Sequence, residues 1–323
     1  MARSFLGIDI GGTNVKFAWI DSRGRMIHKA TMRTQAEAGP EDAFGRIAKT
    51  VRRVMGKDAP AGVGIGCAGL IDREERRLVV SPNLPAWSGA RIGRISERAL
   101  GVYTILENDA NAAAYGEFSV GAGRGAKTFV VVTLGTGVGG SIIHEGTIFR
   151  GARNYAGEIG HVTINERGPL CKCGNRGCLE AYLGADALVK VAKHRVKSTR
   201  SVLGRLAAEH GSLTPRLIGQ AARRGDRIAR SVLEDAADHL GTALANVVNL
   251  INPDRIAIAG GVAPAIGLVL PRVRAVVVER AFTKSALCAK IERGRLGSGA
   301  AALGAAWIAR QGAVSPRRGR RSD

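Results

Sequence analysis

The chain has 323 residues, 45% hydrophobic and 23% charged, and no apolar run nears the ~20 residues of a membrane-spanning helix. This describes a globular protein long enough for two domains and excludes a membrane-embedded or disordered one. The formal net charge of +21 is scattered and dominated by arginine, so it reads as a solvated surface that attracts anions, with no specific nucleic-acid face. Five cysteines, an odd number, and an N-terminus without a leader's apolar core predict a reducing cytoplasm.

Residues 4–10 (SFLGIDI) read as a strand, Gly11-Gly12-Thr13-Asn14 as a tight turn, and 15–20 as a second strand. Ala43, Ile47, Val51 and Val54 give 40–56 a helical period. Short strands at 62–66 and 102–106 follow, the second running through Glu107-Asn108-Asp109 into a helix over 110–118. Glycines at 121–125 suggest a hinge, after which the pattern restarts: an apolar strand over 128–134, a turn over 135–140 and a strand over 141–144. Helices are predicted over 184–194, 201–210, 214–223 and 226–250, then a buried strand over 255–259 entering Gly260-Gly261. The reading ends with a closing helix over 297–311. It divides the chain into a small α/β domain (1–122, with helix 298–312 returning to it) and a larger one (123–297). A disordered basic tail is expected over 313–323, around Arg317, Arg318, Arg320 and Arg321.

Strand, glycine turn, strand therefore occurs twice. In Asp9-Ile-Gly11-Gly12-Thr13-Asn14-Val-Lys16 the glycines let backbone N–H groups approach phosphate oxygens with no Cβ between. Asp9 is placed to hold Mg²⁺ through water. Gly135, Thr136, Gly137 and Gly139 repeat the device, and Gly260 and Gly261 supply a third edge around a nucleotide such as ATP. The segment is no Walker loop, and no long helix follows the first glycines as a dinucleotide fold requires. The alternative for either motif alone is an ordinary β-hairpin. Asp109, at a strand end ahead of a helix, is either an N-cap or a general base whose ionised form the helix dipole favours.

His161, Cys171, Cys173 and Cys178 follow the spacing H-x9-C-x1-C-x4-C over 161–178, among Gly and Pro, with Glu158 and Glu180 on either side. Four soft or borderline ligands in one loop suit a closed tetrahedral Zn²⁺ site, structural rather than catalytic. The alternatives are a disulfide or chance clustering.

These segments, DIGGTNVKFAWID, PNLPAW, ENDANAAAYGE, LGTGVGG, GEIGH and CKCGNRGCLEAYLG, resemble the ROK family of sugar kinases over most of the chain, most closely its bacterial glucokinases. The resemblance implies an actin-like (ribonuclease H-like) α/β fold with two lobes and a central cleft. It also implies ATP with Mg²⁺, and transfer to the 6-hydroxyl of a hexose. Asp109 would be the base, and Asn83, Asn108, Glu158, His161 and Glu180 would bind sugar hydroxyls, with His161 also a zinc ligand. The family suggests a homodimer or homotetramer. Other readings are a kinase for fructose, mannose, allose or an N-acetylated amino sugar, or polyphosphate as donor. ROK transcriptional repressors carry an added N-terminal helix-turn-helix, for which the first hairpin, within ten residues of Met1, is expected to leave no room.

Overall fold

The computed structural model describes residues 3–56, 58–196 and 200–314; Arg317, Arg318, Arg320 and Arg321 lie outside the described residues. The chain divides into two compact units, Met1–Val120 with Ser298–Asp323, and Gly121–Gly297.

The first unit runs β1 (Ser4–Ile10), β2 (Asn14–Asp21), β3 (Met26–Arg33), α1 (Gly39–Met55), β4 (Gly62–Cys67), β5 (Leu70–Asp72), β6 (Arg77–Val80), α2 (Ile92–Leu100), β7 (Thr104–Asn108) and α3 (Asp109–Val120). The second runs β8 (Thr128–Leu134), β9 (Val138–His144), β10 (Thr147–Phe149), α4 (Glu180–Leu183), α5 (Ala185–Arg195), α6 (Val202–His210), α7 (Pro215–Arg223), α8 (Arg227–Ile251), β11 (Arg255–Ala259), α9 (Ala263–Ile266), α10 (Leu270–Arg280), α11 (Thr283–Cys288) and β12 (Lys290–Arg293). The last helix, α12 (Ala300–Val314), belongs to the first unit.

Each unit is built on a five-stranded sheet, ordered β3-β2-β1-β4-β7 in one and β10-β9-β8-β11-β12 in the other. In both, an antiparallel meander of three strands joins a parallel run of three through its first strand. The duplicated turn motif read from the sequence is thus the visible part of a duplicated sheet. The central strands are apolar on both faces because helices cover them. β1 is buried at Phe5, Leu6, Ile8 and Ile10, and β8 at Phe129, Val130, Val131 and Val132.

Helix α12 lies so close to β1 and β4 that a Cβ at Gly7 would overlap Ala302 and Ala306, and one at Gly64 would overlap Ala305. Alanine on the helix and glycine on the strands permit that approach. The same helix crosses α3 through Gly304, against Ala112 and Gly116.

The structure differs from the sequence reading in several elements; β5, β6, β10, β12, α4, α9 and α11 are short pieces that the reading does not predict. β3 was missed because its pattern, MIHKATMR, is mostly exposed and basic, as an outer strand can be. α2 and α10 were missed beside stronger neighbouring signals. β9 begins at Val138, so Gly139 and Gly140 are strand residues paired with Thr133 and Val132, not turn residues. α12 continues through Val314, two residues into the predicted tail. No helix among the described residues is long and apolar enough to cross a membrane.

Candidate active site and metal centre

In the first unit the parallel strands end in register, Ile10 beside Cys67 and Cys67 beside Asn108, so chemistry-bearing residues gather at one sheet edge. The β1–β2 turn closes through Gly11 N–H to the Asn14 carbonyl, 3.1 Å. Thr34 buttresses it: its N–H donates to the Thr13 carbonyl (3.0 Å) and its Oγ1 to the Gly11 carbonyl (2.6 Å). A Cβ at Gly12 would lie 2.8 Å from the Asn83 carbonyl oxygen, so Asn83 sits against the turn, and the glycine is needed for that contact. The Lys16 ammonium donates to the Ser298 carbonyl at 2.7 Å and stands 4.0 Å from Asp9.

Asp9 is pushed up to about 6, first by burial, then by the Asp109 charge, with Lys16 opposing. Asp109 is raised by burial, partly offset by its own backbone N–H and that of Ala110. The buried Cys67 thiol is raised by burial and then by the Asp109 and Asp9 charges. Two carboxylates sharing a poorly hydrated pocket leave it short of positive charge, which suits a divalent cation held at Asp9.

Asn108 takes the capping role at α3. Its Oδ1 accepts from the Ala110 (2.9 Å) and Asn111 (3.2 Å) N–H groups, and its Nδ2 donates to the Gly69 carbonyl (3.1 Å). One side-chain N–H of Asn108 is left for a ligand. Glu107 escaped sequence reasoning as a positioning residue. It is 2% exposed, pairs with Arg73 at 3.3 Å, and accepts from the Asn108 N–H (3.1 Å) and Asn111 Nδ2 (3.0 Å). A carboxylate directly after the apolar pair Ile105-Leu106 in a buried strand was the available signal.

In the second unit the β8–β9 turn closes through Gly135 N–H to the Gly137 carbonyl, 2.9 Å. Gly260, at φ +90°, packs on the Leu134 backbone, and Val262 N–H reaches the Leu134 carbonyl at 3.0 Å. Gly260 and Gly135–Gly137 are thereby brought together, while Gly261 faces open space. Thr136 stands in the turn, and Gly139 lies beyond it in β9.

The ligand atoms of His161, Cys171, Cys173 and Cys178 all lie within 4.8 Å of one another. Cys171 Sγ is 3.8 Å from His161 Nδ1, and Cys173 Sγ is 3.7 Å from Cys178 Sγ. The edge of a tetrahedron around zinc with sulfur ligands is about 3.8 Å, so the four residues fit that ion. The sulfurs are too far apart for the disulfide alternative, and all the cysteines are free. Burial, then the neighbouring thiols, push Cys178 up to about 12; a dication at the centre would reverse this by binding the thiolate. The loop is shaped by Cys171 N–H to the Asn175 carbonyl (2.7 Å) and by Ile164 N–H to the Gly177 carbonyl (2.9 Å). Gly177 adopts φ +69° where a side chain would overlap Asn165. Glu180 Oε2 accepts from the Val138 N–H at 2.9 Å, and Glu158 is exposed at the other end of the loop.

Two sheets of one topology, each with a glycine turn after its first strand, define an actin-like fold. The chain belongs to the ROK family, whose description matches residues 5–312. It is 35% identical over 308 residues to a glucokinase of Thermotoga maritima, covering 95% of this chain and 97% of that protein. It is also 32% identical over 309 residues to a xylose repressor of Caldicellulosiruptor bescii, covering 93% of this chain and 76% of the repressor. Among solved structures, a ROK family glucokinase from Streptomyces griseus in complex with glucose and AMPPNP superposes with a TM-score of 0.81. That match has 32% identity and covers 95% of this chain and 99% of that one.

Proposed function

We propose that this ROK-family chain is a hexokinase-type phosphotransferase, a cytoplasmic ATP-dependent glucokinase that phosphorylates the 6-hydroxyl of glucose. The observation that carries the reading is Asp109, a carboxylate at the start of α3 that is raised by burial, where Asn108 supplies the main cap, and that is close enough to Asp9 for its charge to raise that group. Glucokinase relatives matched over nearly their whole length support it. Some relatives are repressors, but Asp109 and both glycine turns favour catalysis here.

In this reading the Asp109 carboxylate accepts the proton as the sugar oxygen forms its bond to the γ-phosphorus and the bond to the β-phosphate oxygen breaks. Mg²⁺, held through Asp9, would supply charge neutralisation on the phosphates. Backbone N–H groups of Gly11, Gly12, Thr13, Asn14, Gly135, Thr136 and Gly137 serve phosphate oxygens, with Lys16, Gly139, Gly260 and Gly261 shaping the surroundings. Asn83, Asn108, Glu158, His161 and Glu180 pair with sugar hydroxyls, and a sugar that leaves one of these groups unpaired is disfavoured. Since His161 turns Nδ1 toward Cys171, that nitrogen would hold zinc, which would leave Nε2–H for the sugar. Assembly as a dimer or tetramer rests on the family resemblance alone.

The test is a panel assay of the purified protein on glucose, fructose, mannose, allose and N-acetylated amino sugars, with ATP and polyphosphate as donors. Glucose with ATP is expected to give the highest kcat/KM. A preference for another hexose or for polyphosphate would redirect the reading, and no phosphorylation of any sugar would overturn it.

A further inference from the structure

The metal knot and the β8–β9 turn meet at one residue, Val138. From one side, Glu180, two residues after ligand Cys178, accepts the Val138 N–H at 2.9 Å. From the other, Gly160, one residue before ligand His161, lies so close to the Val138 carbonyl that a Cβ would overlap it. The segment after Glu180 continues along the turn: Ala185 N–H donates to the Gly135 carbonyl at 2.9 Å. A Cβ at Gly184 would stand 2.9 Å from the Thr136 carbonyl oxygen. Gly137 is empty of side chain where the Glu180 carboxylate sits, and Glu180 Oε1 is 3.8 Å from Cys171 Sγ. Beneath these contacts Val138, Ile159, Leu179 and Leu183 share one buried cluster.

A turn of Gly-Thr-Gly has little stiffness of its own, because glycine loses more conformational freedom on ordering than any other residue. Phosphate recognition by backbone N–H groups needs their positions held to a fraction of an ångström. Here the holding comes from outside the turn, from the two chain segments that also carry the first and last metal ligands.

We propose that Glu180 is a positioning residue for the β8–β9 turn, through which the His161–Cys171–Cys173–Cys178 knot sets the geometry of the phosphate-binding loop as well as of the sugar wall. The proposal rests on the reading of that turn as a nucleotide-phosphate site.

The test uses full-length, zinc-loaded protein and two readouts: hydrogen exchange of the peptide spanning 135–140, and MgADP affinity by calorimetry. Glu180→Ala is expected to speed exchange at Val138 and weaken MgADP about tenfold or more, the effect of losing a hydrogen bond to a charged acceptor. Glu180→Gln keeps an oxygen that can accept from Val138 and is expected to restore both readouts, which loss of a sugar contact would not predict. Gly160→Ala leaves Glu180 and every ligand in place, yet puts a methyl under Val138; it is expected to reproduce both defects. Removing zinc with a chelator should act in the same direction. Wild-type exchange and MgADP affinity in Glu180→Ala overturn the proposal, as does an unaffected Gly160→Ala should the first variant fail to fold. Wild-type protein that binds no MgADP would instead defeat the functional reading, while the exchange measurement still decides the role of Glu180.

Discussion

Asn108 caps the helix that Asp109 begins: Asn108 Oδ1 holds the Ala110 and Asn111 N–H groups, and the Asp109 carboxylate meets only the N–H groups of the first turn, its own and that of Ala110. In the proposed mechanism Asn108 carries the cap, with one N–H left for the sugar, and Asp109 takes the proton. Asp109→Asn is therefore expected to fold with an unchanged circular dichroism spectrum and melting temperature within a few degrees, while kcat falls about 10²–10⁴-fold, the usual worth of a general base. A near-normal kcat would show that Asp109 is not the base.

The pH dependence follows from the same pocket. Burial raises both Asp9, to about 6, and Asp109, and the proposed mechanism needs both as ionised carboxylates. A group with a raised pKa reaches its active, deprotonated form only at higher pH. The profile of kcat/KM is expected to fall on the acid side, with the Asp9 limb near pH 6, and a flat profile down to pH 5 would contradict this assignment.

Asp9 should trade stability for function. Its folded pKa exceeds the model-peptide value of 3.8, so between about 4 and 6 the folded chain binds more protons than the unfolded one. Its contribution is therefore most favourable below that window and is lost as pH rises through it. Asp9→Asn is expected to raise the melting temperature at pH 7.5, by up to about 3 kcal/mol of stability, while weakening nucleotide binding. Thermal melts at pH 5 and 7.5 check this, since the gain should shrink at the lower pH.

Metal content is the next measurement. Purified protein is expected to carry about one zinc per chain, with affinity falling in acid as thiolates protonate. Cys178→Ser and the exposed Cys173→Ser should both lose the metal; retention by both would exclude the tetrahedral site.

Helix α12 positions α3 by close backbone contact. A methyl added at Gly304 would overlap the Ala112 carbonyl and the Gly116 nitrogen on α3. Gly304→Ala is expected to destabilise the protein by about 1–3 kcal/mol in urea unfolding, despite alanine's better helix propensity, and to lower kcat because α3 begins at Asp109. Gly312→Ala on the same helix meets only the Ile105 side chain, whose end can move, and should be tolerated.

Much of this protein was legible in its sequence because the signals are local. Apolar runs marked β1, β8 and β11, glycine and Asp9 marked the turn after β1, and the spacing of His161 and three cysteines marked the knot, each written within one short stretch of chain. What the sequence left open depends on how each group is placed in the fold. Both Asn108 and Asp109 can cap a helix, and only the folded geometry of β7 and α3 decided that Asn108 does. Gly139 looked like a turn residue until pairing with Thr133 placed it in β9. Glu180 read as a sugar ligand, and nothing near it in sequence pointed to Val138, 42 residues away. Composition and short-range spacing determine which groups are present and which local shapes they allow. Tertiary packing alone determines which donor each acceptor meets, because a buried polar group must be paired and the pairing is settled only when distant segments close on one another.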